Sequence, residues 1–285
     1  MVMGTAQWGS DYGITNEQGR LSDQEVRAQL ELLHEHEMRF LDTAPAYGDA
    51  EQRIGRQASG MLVQSKISAL SQTPDNLLAS LTASRTAIRD NRLHGLLVHD
   101  WHLLDIQDRA VAAGVLSAVR AQGLVDRIGV SAYTAADVAS ALAHFGQLDV
   151  VQVPVNVLDQ RLTTDAAIAE LRARGGVVQA RSVYLQGLLV SASQNVMFAG
   201  HPDLAHWRDL VQTLAVDPST LALAFIRQQP WVDEVVVGAA SVAELAQTIV
   251  AWQVRLPQVD WAAFASADLT LIDPRQWPPR SMAAG

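Results

Sequence analysis

The sequence predicts an α/β fold, a (β/α)8 TIM barrel forming a single domain. Three observations predict it. Eight short β-rich runs recur along the chain, helical patterns with explicit caps separate them, and no low-complexity linker or charge block divides the chain. At 285 residues the chain exceeds the usual single-domain length, but barrels of this kind routinely reach that size. An open doubly wound sheet is the structural alternative, yet no Gly-x-Gly-x-x-Gly follows any early strand.

The runs lie at 2–5, 40–43, 61–66, 95–99, 127–131, 150–153, 177–180 and 234–238. They are continuously apolar rather than alternating, as expected of parallel strands buried on both faces. Between them, Ser22 and Glu25 read as a capping box, in which each side chain satisfies the other's free amide. Asp217-Pro218 places an N-cap acceptor before a proline at the first helical position, and Ser241 with Glu244 forms a second capping box. The domain spans 1–285, with 256–285 a C-terminal extension that contains Trp261, Phe264 and Trp277 and matches no legible pattern.

Composition bounds the function. The chain is 49% hydrophobic and 18% charged, enough to bury a large core. Its 21 basic and 30 acidic residues give a net charge of −9, which argues against a nucleic-acid partner, so any phosphate recognition should be local. No cysteine is present, which excludes disulfides, thiolate catalysis and cysteine metal sites. No apolar run reaches membrane-spanning length and the start lacks a leader pattern, so the expectation is a cytoplasmic protein without a membrane partner. The histidines show no metal-ligand spacing and there is no nucleophile elbow, so no metal is expected.

Barrels of this type place their chemistry at the C-terminal ends of the strands. That rule selects Asp42, Lys66, His99, Ser131, Gln152, Arg181 and Gly238. A buried lysine is costly unless paired, and an aspartate on the neighbouring strand end is the obvious partner. Tyr47 follows Asp42 in Asp-Thr-Ala-Pro-Ala-Tyr-Gly, on a turn leading off the strand. A phenol is a poor acid at neutrality, but a nearby ammonium stabilises its anion, so such a group can exchange a proton with a carbonyl oxygen as hydride moves. His99, on the next strand, can hydrogen-bond the same oxygen and fix its direction.

These motifs resemble the aldo-keto reductase family, over residues 4 to about 249. Phe40-x-Asp42-Thr43-Ala44-x-x-Tyr47-Gly48-x-x-Glu51 is similar to the family's first signature, and Val-x-Ser-Lys66 and Leu-Leu-x-His99 to its second and third. The resemblance implies Asp42, Tyr47, Lys66 and His99 as the catalytic tetrad, with NADP or NAD as cofactor and a small carbonyl compound or sugar as substrate. It also implies cofactor roles for Gly4 and Thr5 at the end of the first run, and for Ser131 and Gln152 on the nicotinamide carboxamide. Ala132 stands where the family usually has Asn. Arg181, Ser182 and Gln186 lie in the segment similar to the one beside the nicotinamide and pyrophosphate. At Arg181, where an aromatic residue commonly stacks, a guanidinium can stack on the ring or be held in a salt bridge elsewhere.

Gly238, Ser241, Glu244, Gln247 and Thr248 resemble the loop and helix start that bind the adenosine phosphate. Glu244 aligns with the family's usual basic residue for a 2′-phosphate. It can face a ribose hydroxyl or simply close its capping box, so NAD and NADP both stay open. Trp8, Tyr12 and Trp101 follow strand ends and are candidate walls of the substrate pocket. The opening Gly-Thr-Ala-Gln-Trp-Gly-x-x-Tyr-Gly-Ile looks like relatives associated with sugar metabolism. The expected activity is carbonyl reduction or aldose oxidation; the alternative is a cofactor-binding regulatory or scaffold subunit, kept open by Ala132, Arg181 and Glu244.

Overall fold

The computed structural model describes residues 1–191 and 196–278. Strands β1 (Val2–Gly4), β2 (Phe40–Asp42), β3 (Leu62–Ile67), β4 (Leu93–Val98), β5 (Val125–Ser131), β6 (Val150–Pro154), β7 (Val177–Arg181) and β8 (Glu234–Val237) close into a barrel. Each pairs in parallel with the next, and β8 returns to β1 through Val2↔Val236 and Met3↔Val237. The observed strands match the runs expected from sequence to within two residues at either end. Apolar continuity located them because both faces are covered: Leu41, Val63, Leu96, Val151 and Val178 are all buried. Each such side chain contributes roughly 1.5–3 kcal/mol on leaving water.

The helices are α1 (Ala6–Gly9), α2 (Asp23–Glu35), α3 (Ala50–Gln57), α4 (Pro74–Ile88), α5 (Ile106–Ala121), α6 (Ala135–His144), α7 (Ala166–Ala173), α8 (Pro202–Leu214), α9 (Pro218–Arg227), α10 (Val242–Gln253) and α11 (Leu269–Ile272). Their starts follow capping chemistry. Ser22 and Glu25 form the reciprocal box at α2, and Asp217 accepts from the amides of Ser219 and Thr220 at α9. At α10, Ser241 accepts from the Glu244 amide, but the Glu244 carboxylate reaches one residue further back, to the Ala240 amide at 2.7 Å. Thr134 with Asp137 makes a further box at α6 that sequence reading did not single out.

The barrel interior is polar along much of its axis. Gln179 of β7 donates through Nε2 to Glu234 of β8 at 2.6 Å and accepts through Oε1 from Gln64 of β3 at 2.8 Å and Gln152 of β6 at 2.9 Å. Glu234 in turn accepts from Arg127 of β5 at 2.9 Å. The extension after α10 docks on the barrel. Trp261 packs edge-on against Phe225, Trp277 lies against Phe198, and the Trp261 indole donates to Gln228 at 2.7 Å. The part of the extension at 279–285 lies outside the described residues. Among the described residues no single helix is long and apolar enough to cross a membrane.

Candidate active site

A cleft of about 640 Å³ opens at the C-terminal ends of the strands. β2 and β3 are in register as neighbours, so Asp42 and Lys66 project from adjacent strand ends and meet. Lys66 Nζ, only 1% exposed, donates to Asp42 Oδ2 at 2.6 Å, to the Thr43 carbonyl at 3.0 Å and to the Tyr47 hydroxyl at 3.3 Å. All three ammonium protons thus have acceptors. Burial alone would lower the Lys66 pKa, but Asp42 and the Tyr47 oxygen outweigh it and hold the lysine above its ordinary value. The second Asp42 oxygen, Oδ1, accepts from Gln64 at 2.8 Å and from Gln152 at 3.0 Å.

Tyr47 stands on the turn after β2 because Gly48, at φ +61, reverses the chain there, and because Gly9 lets α1 press against that turn. His99, at the end of β4, faces it edge-on with ring centroids 6.1 Å apart. Burial, then Lys66 and Arg181, push the His99 pKa down to about 4, so the imidazole is neutral at physiological pH. Glu51, in the first turn of α3, accepts from Ser65 at 2.5 Å, and the pKa of its carboxyl is pushed up chiefly by burial. An ammonium locked to a carboxylate, one phenol on that ammonium and a neutral imidazole facing the phenol are groups chemically able to exchange a proton with an oxygen between the two rings.

The aldo/keto reductase family model matches residues 1–269. The chain belongs to this family. A D-threo-aldose 1-dehydrogenase from a Pseudomonas species is 27% identical, over 87% of this chain and 89% of the relative. Among solved structures, an aldo-keto reductase from Bacillus halodurans superposes with a TM-score of 0.77 at 14% identity, covering 97% of this chain and 95% of its own. A thermostable aldo-keto reductase solved with the inhibitor epalrestat gives 0.72 at 19% identity, over 92% and 93% of the two chains. Like its family, this aldo-keto reductase is an NAD(P)-dependent oxidoreductase acting on carbonyl or CH–OH groups.

The cleft fits an extended dinucleotide. Gly4, Ser131, Gln152, Arg181, Ser182 and Gln186 line it, and so do Gly238, Glu244, Gln247 and Thr248. Ser131 and Gln152 are paired in register on β5 and β6; the serine hydroxyl and the Gln152 side-chain oxygen, whose own amide protons go to Asp42 and Gln179, suit a carboxamide. At Gly238 a Cβ would come within 2.5 Å of the Gln7 side-chain oxygen, so the backbone there stays bare to the cleft. Two expected cofactor residues face elsewhere. Thr5 is fully buried and donates to the Asp42 carbonyl at 3.0 Å, and Ser241 caps α10.

Of the expected substrate walls, Tyr12 lines the cleft. Trp8 and Trp101 do not; both are fully buried, with their indole N–H groups on Gln29 at 2.7 Å and on the Asp137 carbonyl at 3.1 Å. Their apolar area and single polar handle are better satisfied in the packing between helices than at a wet wall. Arg181 makes no salt bridge among the described residues; it stacks instead on Tyr133. Sequence reading missed Tyr133 and Arg275, which also line the cleft, and Gln64 and Gln179 behind Asp42. The signal for the glutamines was a polar residue inside a buried apolar run, which is costly unless hydrogen-bonded and so marks an interior network.

Proposed function

We propose that Asp42, Tyr47, Lys66 and His99 are the catalytic tetrad of a carbonyl reductase or sugar dehydrogenase that prefers NAD over NADP. The observation that carries the assignment is the Lys66 ammonium, fixed by Asp42 at 2.6 Å and donating to the Tyr47 hydroxyl at 3.3 Å. The nicotinamide supplies or accepts the hydride when bound. In reduction, Tyr47 gives its proton to the carbonyl oxygen as hydride reaches the carbon, and Lys66 stabilises the phenoxide left behind. His99, neutral, donates an N–H to the same oxygen and orients it. In oxidation the proton returns from the substrate hydroxyl to Tyr47. The relative named for aldose 1-dehydrogenation supports a polyhydroxylated substrate for this chain as well.

The preference for NAD rests on charge. The cleft's Gly238–Thr248 side carries Glu244 and, from the start of α9, Asp217, both lining it. Each carboxylate is turned onto backbone amides at its own helix start, where a phosphate would otherwise bind. Arg181 and Arg275, the arginines among the described lining residues, lie off that segment, at the end of β7 and in the extension. A 2′-phosphate there would meet two carboxylates and no counter-charge.

Two measurements test this reading. Tryptophan fluorescence titration should show NADH binding about tenfold or more tighter than NADPH; equal or reversed affinities would refute the preference. Tyr47→Phe should lose about 10²–10⁴-fold in kcat while keeping cofactor affinity, the range of a positioned acid/base. Full turnover by that variant would remove Tyr47 from the chemistry.

A further inference from the structure

Of the two arginines that line the cleft outside the tetrad, Arg181 lacks a carboxylate partner among the described residues. Nη1 donates to Ser182 Oγ at 3.3 Å and Nη2 to the Ala132 carbonyl at 3.3 Å, both long, while Nε is buried with no partner. The guanidinium carbon sits 4.2 Å from the centroid of the Tyr133 ring, which fixes its plane. Arg275, brought in by the C-terminal extension, lies 3.9 Å from the same centroid. Arg275 is already neutralised by the buried carboxylate of Asp273, which takes a hydrogen bond from Arg275 Nε at 2.8 Å and a second from its Nη2. Arg181 therefore presents a held, uncompensated positive charge, in a protein whose net charge of −9 would otherwise repel anions.

Position assigns the ligand. Tyr133 packs edge-on against His102, with centroids 4.7 Å apart, so the ring and its guanidiniums stand beside the loop that follows His99. The Arg181 charge helps depress the His99 pKa, so its field reaches the reacting end of the cleft. The Ala132 backbone carbonyl, just after the end of β5, holds one arm of the guanidinium at 3.3 Å.

We propose that Arg181, seated on the Tyr133 ring, binds a carboxylate carried by the substrate, so that this enzyme acts on acidic aldehydes or sugar acids in preference to their neutral counterparts. A planar carboxylate matches the guanidinium fork and gives the second N–H of Nη1 and of Nη2, each of which makes a single long hydrogen bond, an acceptor. The proposal rests on the tetrad reading above, because the carbonyl must lie at Tyr47 and His99 while the acid group lies on Arg181.

The test compares 4-carboxybenzaldehyde with its carboxamide analogue, which has similar shape but no charge. Binding is measured by tryptophan fluorescence in the NADH complex of Tyr47→Phe and of Tyr47→Phe/Arg181→Gln, so no turnover is needed. We expect the acid to bind at least tenfold tighter than the amide, and Arg181→Gln, compared with its parent at saturating NADH, to erase that difference. Equal binding of the two aldehydes, no measurable binding of either, or a preference that survives Arg181→Gln each overturns the proposal. A loss of NADH affinity matching the loss for the acid also overturns it, placing the guanidinium on the cofactor pyrophosphate. Steady-state turnover of both aldehydes by the protein with Tyr47 intact is measured alongside. Failure there, with the acid still bound selectively, would count against the tetrad and not against Arg181.

Discussion

At Lys66 the three ammonium protons go to a carboxylate, a backbone carbonyl and a phenol, and the phenol belongs to Tyr47, which lines the cleft. The first two fix the charge in place, so its effect on Tyr47 does not depend on a mobile side chain. His99 shows the opposite use of burial. Its pKa falls from the ordinary 6.5 to about 4, chiefly by desolvation, so the imidazole stays neutral at physiological pH. Its ¹H–¹⁵N NMR signals should accordingly titrate with a midpoint near 4, and kcat should show no inflection near 6.5 from this residue. An imidazole midpoint between 6 and 7 in the folded protein would contradict the site electrostatics. Stability carries the matching sign: the unfolded chain takes up this proton first, so the contribution of His99 is most favourable above 6.5 and declines as pH falls toward 4.

The strands were legible because burial on both faces makes each a continuous apolar run, and the polar residue that ends a run is where the cleft begins. Asp42, Lys66 and His99 were found that way. Loop aromatics were not legible by the same logic, since sequence position after a strand does not say which way a ring turns. Trp8 and Trp101 turned inward, whereas Tyr12, with a hydroxyl to hydrate, stands 41% exposed at the cleft. Gln64 and Gln179 read as interruptions of their runs, because their partners come from strands distant in sequence. Arg275 was illegible because its place depends on how the extension docks, not on local periodicity. Among the short elements, α1 packs directly on the turn that carries Tyr47. A Cβ at Gly9 would lie 1.7 Å from the Tyr47 carbonyl oxygen and 2.5 Å from the Ala50 amide, both backbone atoms that cannot step aside. Gly9→Ala should therefore lower kcat by displacing the Tyr47 turn and cost about 1–3 kcal/mol of stability as overpacking does. Urea denaturation and steady-state kinetics check both parts; unchanged values would mean that the turn tolerates the shift.

Across the whole molecule, the amide network joins the reacting end of the barrel to its opposite rim. Asp42 takes its two amide donors from Gln64 and Gln152, both of which meet Gln179, and Gln179 reaches Glu234 and so Arg127. Gln179→Met keeps the volume but strips the partners from two amides and one carboxylate. Leaving such groups unsatisfied costs about 1–3 kcal/mol, so the urea midpoint should fall. A variant as stable as the parent would show that water replaces the lost contacts.

Glutamine side chains carry dipoles but hold no exchangeable charge near neutral pH. The line of amides from β8 to Asp42 can therefore transmit orientation, yet it insulates against proton traffic. On the proposed assignment, the proton that Tyr47 gives up is restored from the mouth of the cleft rather than through these amides, so rehydration of that mouth between turnovers belongs to the cycle.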